Sequence, residues 1–184
     1  MNEVLNAIHE RRSHRAYSSE KLTEEQISIL LNAAVASPSA VNRQPWHFTM
    51  VENQEIIDRV HSAAIAEMMK LPEEKRSPRL RDSSFHMFYH APAVLFISGL
   101  KDNHWTQVDC GIACQNVVLA AESIGLGSVI LGMPRAAFAG NEADELRKLL
   151  KFPETHDFVI AIGLGIPTDT KPAHPVNEGK IDRI

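Results

Sequence analysis

The strongest constraint on this chain lies between Ala93 and Gly132. AVLFIS reads as a short, continuous apolar strand, and the stretch from about Gln107 to Ile124 as a long apolar helix. Gly125 stands where such a helix usually closes, and GSVILG follows as a second buried strand. Apolar elements in this order must be covered on both sides, which calls for a layered sandwich around a sheet. FVIAIG supplies a further buried strand, and WHFTMV alternates, with Trp46, Phe48 and Met50 on one face, as a half-buried one. Three or four strands interleaved with helices fit either an α/β or an α+β sandwich; the alternation alone invites a parallel sheet.

The remaining helices carry their own signals. At Thr23 a capping box is completed by Gln26, Leu22 and Ile27 are placed to staple the turn, and Ile27, Leu30, Leu31 and Ala34 form a buried stripe. Asn53 caps a helix bearing Ile56, Ile57, Val60 and Ala64, and Asn141 is expected to cap a short one bearing Leu146, Leu149 and Leu150. Val4, Leu5 and Ile8 share one face of a short N-terminal helix. LPEEKRSPRLRD is charged and punctuated by proline, and reads as a mobile excursion over the surface. The tail from Pro167 is too polar to fold on itself and is expected to lie against another surface, such as a second subunit. With 184 residues, 44% of them hydrophobic, the chain suits one domain, 1–184, with a single sizeable core.

Several classes of function drop out. A formal charge of -4 offers no broad cationic field to nucleic acid or an anionic membrane, so any anion site must be local. The N-terminus lacks a secretory pattern and no stretch is long and apolar enough to span a bilayer, so a cytoplasmic protein is expected. Cys110 and Cys114, four apart in a helical pattern, read as small buried side chains. His86 and His90 share that spacing but come without an HExxH pattern or carboxylate partner, and no metal is expected. No GxSxG elbow occurs, and GLGSVILG has the wrong glycine spacing and context for a dinucleotide fingerprint.

Three segments remain as candidates. Arg11, Arg12, Ser13 and Arg15 follow a helix directly, giving guanidinium forks and a hydroxyl suited to a phosphate or a polarised carbonyl, although a solvated basic helix end fits the pattern as well. PSAVNRQPW, residues 38–46, is a proline-stiffened loop with short hydrogen-bonding groups at Ser39, Asn42 and Gln44; ordinary turn chemistry also accounts for it. From Ile130 to Met133 a buried strand presents bare backbone, with Gly132 allowing close approach, or simply ends on a glycine.

Taken together and in this order, RRSHRAY, ASPSAVNRQPWHF, DCGIACQNVVLAAESIGLGSVILG and IGLGIPTDTKPAHP resemble the nitroreductase family of flavin mononucleotide (FMN) enzymes over nearly the whole chain. The resemblance implies an α+β fold with a mostly antiparallel sheet flanked by helices, built as an intertwined homodimer with FMN at the subunit interface. It implies that Arg11, Arg12, Ser13 and Arg15 hold the phosphate, ribityl chain and pyrimidine edge of the flavin. Pro38, Ser39, Ala40, Asn42 and Gln44 would close over the ring from the other subunit, and the backbone of Ile130, Leu131 and Gly132 would line one flavin face. Lys171 matches a phosphate contact, with His174 close by. The chain departs from the family at RLRDSSFHMFYHAP, where Arg81 and Asp82 are the nearest polar candidates, and at Ala173, where a second basic group is common.

The activity so implied is oxidation of NADH or NADPH and reduction of a nitroaromatic, quinone or similar electron-poor acceptor, with no indispensable side-chain acid or base. A guanidinium beside the pyrimidine edge, which the resemblance assigns to Arg15, would favour the reduced flavin. The same scaffold is similar to enone reductases, dehalogenating reductases and flavin-fragmenting enzymes, and a flavin-storing or flavin-sensing module is the alternative from outside enzymology.

Overall fold

The structure is a computed structural model that describes residues 2–173 and 175–184. In chain order its elements are α1 (Glu3–Glu10), α2 (Glu24–Val35), β1 (Trp46–Val51), α3 (Gln54–Met69), β2 (Ala93–Leu100), α4 (Thr106–Ser123), β3 (Gly127–Leu131), α5 (Ala143–Leu149) and β4 (His156–Gly165), joined by short turns of 3-10 helix. The sheet order is β1-β2-β4-β3 and every neighbouring pair is antiparallel. The fold is therefore α+β, and the parallel sheet that the alternation invites does not form. The reason is topological: β2 and β3 do run in the same direction across α4, but β4 is inserted between them and pairs with both.

β2 is the axis of the molecule. Its side chains alternate between two apolar clusters, Ala93, Leu95 and Ile97 on one face and Val94 and Phe96 on the other. The first cluster is completed by Leu30 and Ala34 of α2 and by Cys110, Ala113, Val117 and Ala121 of α4. The second takes Ile57, Val60 and Ala64 from α3 and Leu146 and Leu150 from in and beside α5, with the ring of Phe138 stacked on those of Phe158 and Phe152 at 4.9 and 5.4 Å. A strand covered on both sides needs no polar face, which is why AVLFIS reads as an unbroken apolar run. β1 lies at the edge, with Trp46 buried and Phe48 and Met50 half-buried against the first cluster.

The helix starts follow their caps where a side chain is available. Thr23 accepts from the Gln26 amide while the Gln26 side chain accepts from the Thr23 amide, closing the capping box, and Asn53 accepts from the amides of Glu55 and Ile56. α4 ends at Ser123, and Gly125, at φ 75°, turns the chain toward β3. One expectation fails. Asn141 does not cap α5; the helix begins at Ala143 after Glu142, which makes no side-chain cap, and the Ala143 amide bonds to the Gly140 carbonyl at 3.1 Å. The apolar face of α1 is not covered by this chain, leaving Val4, Leu5 and Ile8 exposed. α4 also keeps an apolar strip outside, with Val108 and Trp105 each 52% exposed and Ile112 beside them.

The Thr23 cap yields a direct test. Thr23→Ala leaves the Gln26 amide without its acceptor and is expected to cost about 1 kcal/mol. A fall in melting temperature of roughly 2–4 °C would register it; an unchanged midpoint would show that the box contributes nothing.

Candidate functional site

After α1 the chain runs along the start of β3. Ser13 forms a parallel bridge with Ser128, and the His14 amide donates to the Ser128 carbonyl at 3.0 Å. Gly127 is what permits the approach, since a Cβ there would lie 2.8 Å from Pro167 Cβ and 3.1 Å from His14 Cγ. The segment then pairs with the exit of β4: Ser18 donates to the Ile166 carbonyl at 2.9 Å and Thr168 to the Ala16 carbonyl at 3.0 Å. One carboxylate fastens the junction. Asp169 Oδ1 pairs with His14 Nδ1 at 2.7 Å, and its Oδ2 accepts from the Arg15 amide at 3.1 Å and from Lys171 Nζ at 3.1 Å. Burial pushes this carboxyl upward, but the bonds from His14, Arg15 and Lys171 outweigh it and hold the group at about 2.

These contacts separate the roles of the basic residues. Arg11 lies near Cys114, where its charge works against the burial that pushes the thiol up to about 12. Arg12 Nη1 donates to the carbonyls of His9 and Arg11, whereas its Nε is buried without a partner among the described residues. Arg15 gives Asp169 its amide and not its guanidinium, whose carbon sits 5.8 Å from the centre of the Tyr89 ring. The phenol of Tyr17 donates to the His14 carbonyl at 2.9 Å; burial first and the Asp169 charge second push its ionisation upward, so it remains neutral. At the far end of β3, Ile130 is 40% exposed, Leu131 is buried, and a Cβ on Gly132 would find nothing nearer than Ile160 Cδ1 at 4.0 Å. With φ at -92°, Gly132 is required neither by backbone conformation nor by packing within this chain.

The loop at 38–44 is not ordinary turn chemistry. Val41, Asn42 and Gln44 have φ of 48°, 54° and 48°, a run of left-handed residues without glycine that costs energy at each position. It is held from inside by Ser39 Oγ, which accepts from the Gln44 amide at 2.9 Å, and by Gln44 Nε2, which donates to Asn42 Oδ1 at 3.1 Å. It is held from below by α4: buried Asp109 accepts from the Ala40 amide at 3.2 Å, and Asn116 Nδ2 donates to Ser37 Oγ at 2.8 Å. Pro38 opens the loop, and Val41, at 86% exposure, stands outward. Among the described residues no hydrogen bond joins this loop to 11–15 or 130–132.

The structure thus brings Arg11, Arg12, Ser13, Arg15 and Lys171 around the start of β3, sets Ile130, Leu131 and Gly132 along the same strand, and leaves Pro38, Ser39, Ala40, Asn42 and Gln44 as a separate exposed loop. His174 lies outside the described residues. Arg81 engages Glu73 at 3.8 Å, and Asp82 accepts from Ser84; neither joins the group. His14, Asp169, Asp109 and Asn116 escaped the sequence reading. A signal for the last two existed, because they are polar interruptions seven apart in an apolar helix and so share a face.

Behind Tyr89 stand three stacked imidazoles, His61 4.2 Å and His90 4.4 Å from His86 between ring centres. His86 is pushed down to about 4, by burial and then by its two neighbours, despite Asp58 Oδ1 at 3.1 Å from its Nε2. Among the described residues no group of three or more His, Cys, Asp or Glu could hold a metal ion, and no helix is long and apolar enough to cross a membrane.

Comparison with known proteins follows this geometry. The family model described as "Nitroreductase family" matches residues 8–166. A protein of Archaeoglobus fulgidus, provisionally named NADH dehydrogenase/NAD(P)H nitroreductase, is 34% identical over 178 residues, 93% of this chain and 89% of its own length. The crystal structure of a nitroreductase with bound FMN from Desulfitobacterium hafniense DCB-2 superposes with a TM-score of 0.94 at 33% identity, covering 100% of this chain and 99% of that one. An iodotyrosine deiodinase of Thermotoga neapolitana is 25% identical over 186 residues, 97% of this chain and 96% of its own length.

The junction at Asp169 has a pH signature. Its carboxyl is held at about 2 in the fold against an ordinary 3.8, so it stabilises the protein above about pH 4 and loses that contribution as pH falls toward 2. Asp169→Asn is therefore expected to lower stability by about 2 kcal/mol at pH 7, measured by urea unfolding. The gap from the unsubstituted protein should shrink steadily between pH 4 and pH 2; a gap that stays constant there would defeat this assignment.

Proposed function

This chain belongs to the nitroreductase family, and from that premise we propose that it is an FMN-dependent NAD(P)H oxidoreductase. The single observation that carries the reading is that the basic segment and the tail lysine gather at the start of β3, the strand whose far end leaves bare backbone. The residues present suit the cofactor. Arg12 Nε is a buried donor with no partner among the described residues, and Gly132 leaves open backbone where a side chain would fit without clash. Arg11, Arg12 and Ser13, with Lys171, hold the phosphate and ribityl chain, and Arg15 faces the pyrimidine edge. Ile130, Leu131 and Gly132 line one face of the ring.

FMN, when bound, would supply the redox chemistry, a ping-pong hydride exchange at N5 between NADH or NADPH and a nitroaromatic, quinone or similar acceptor. The work of this chain is to bind, orient and exclude water. Arg15, whose guanidinium is not spent on Asp169, opposes the negative charge that reduction places at the pyrimidine edge.

The functional unit is a homodimer with residues 1–184 as one domain in each subunit. A helix with apolar residues on its outer face is a helix meant to be covered, and α4 exposes Val108 and Ile112 beside Gly111, where an added Cβ would touch nothing within 4 Å. A second copy seated there would bring its own loop, Pro38 to Gln44, over the flavin of the first. A second reading, reductive dehalogenation on the same scaffold, is favoured by the similarity to an iodotyrosine deiodinase.

Purified protein is expected to be yellow and to release FMN on heating, and to oxidise NADH or NADPH with nitroaromatic and quinone acceptors. A colourless protein that cannot be reconstituted overturns the proposal, flavin bound without reduction by either nicotinamide favours a storage or sensing module, and turnover confined to iodotyrosine favours dehalogenation. Arg15→Ala should lower the two-electron midpoint potential of the flavin by about 30 mV, the equivalent of about 1.4 kcal/mol. An unchanged potential would remove Arg15 from that role.

A further inference from the structure

The charged excursion after α3 places three arginines in a row of short turns, and their surroundings differ. Arg76 Nε donates to the Leu71 carbonyl at 2.8 Å, and Arg81 stands 3.8 Å from Glu73. Arg79 has no ion-pair partner among the described residues. Its guanidinium instead lies over two rings, 6.0 Å from the centre of Phe85 and 5.7 Å from that of Tyr89, which meet edge to face at 6.1 Å. A second guanidinium, that of Arg15, lies 5.8 Å from the centre of the Tyr89 ring. Two like charges sharing one aromatic ring repel, and a chain with twenty-three acidic residues has no shortage of carboxylates to separate them.

The arrangement is also built at a cost. Tyr89 and His90 adopt φ of 54° and 53°, consecutive left-handed residues without glycine. The conformation is pinned by the Tyr89 amide to the His86 carbonyl at 2.9 Å and by the His90 amide to His86 Nδ1 at 3.4 Å. The ring of His90 itself stacks on that of His86 at 4.4 Å. An aromatic platform satisfies the flat faces of a guanidinium and leaves its edge N–H groups, which match the two oxygens of a carboxylate or phosphate.

Resting on the flavin reading above, we propose that Arg79, carried on Phe85 and Tyr89 and sharing the Tyr89 ring with Arg15, forms a subsite for an anionic group, carboxylate or phosphate, on the small molecule that meets the flavin. Arg15 belongs to the cofactor and Arg79 to the ligand; together they supply a local positive potential that the overall charge of the chain would not otherwise provide.

The test is equilibrium binding of benzoate and of benzamide to the oxidised, FMN-bearing protein by calorimetry, in unsubstituted, Arg79→Gln and Arg79→Lys forms. Arg79 is exposed, so both variants keep the core intact. Arg79→Gln is expected to weaken benzoate about fivefold more than benzamide, with Arg79→Lys recovering most of the difference. The KM of NADPH relative to NADH is measured alongside. A change in that ratio without a change in the benzoate contrast assigns the anion to the phosphate of the reductant, and the reverse assigns it to the acceptor. If neither contrast moves, or both ligands of each pair weaken alike, the subsite is overturned while flavin content and NADH oxidation still stand; a chain that holds no flavin defeats the reading beneath it as well.

Discussion

Everything in this molecule depends on hiding both faces of β2. A strand with apolar side chains on each side cannot lie at a surface, so helices must close over it twice, and the sheet becomes a partition between two packed clusters. α2 and α4 take one side, α3 and α5 the other. β4 is recruited as the inner neighbour and carries its own buried residues into both clusters. Once these layers are set, the surfaces left for chemistry are the ends of β3 and β4 and the loops that α4 steadies from beneath.

The site is built from tension held in place by the fold. Asp169 gathers a histidine, a lysine and a backbone amide, and does not engage the neighbouring guanidinium of Arg15, which donates to the Ser13 carbonyl and lies over Tyr89. At 38–44 the backbone is bent into left-handed conformations that a free loop would abandon, and two polar residues of an otherwise apolar helix, Asp109 and Asn116, clasp the loop and its approach. Buried polar groups of this kind stabilise little on balance but fix a geometry, because releasing either partner would leave a donor or acceptor stranded.

Local physics was legible in the sequence and long-range pairing was not. The capping box at Thr23, the Asn53 cap, the Gly125 terminus and the alternation of WHFTMV each depend on residues within a few positions, and the structure bears them out. The insertion of β4 between β2 and β3 is a choice of partner, which no local pattern encodes. Asn141 failed as a cap because a cap signal says where a helix is able to start, not where packing lets it. For the site, the RRSHR and PSAVNRQP segments stood out by composition and by their resemblance to a family. His14 with Asp169, and Arg15 with Tyr89, are separated by so many residues that only the folded chain reveals them.

The pairing of 13–18 with 128 and 166–169 joins residues from the two ends of the chain. Seen as a process in time, it makes the site a late part of the fold. During synthesis the basic segment leaves the ribosome more than one hundred residues before Ser128 and more than one hundred and fifty before Asp169. The inner strand β4 itself ends only four residues before Asp169, so the emerging chain closes its core and its grip on an anion at nearly the same moment.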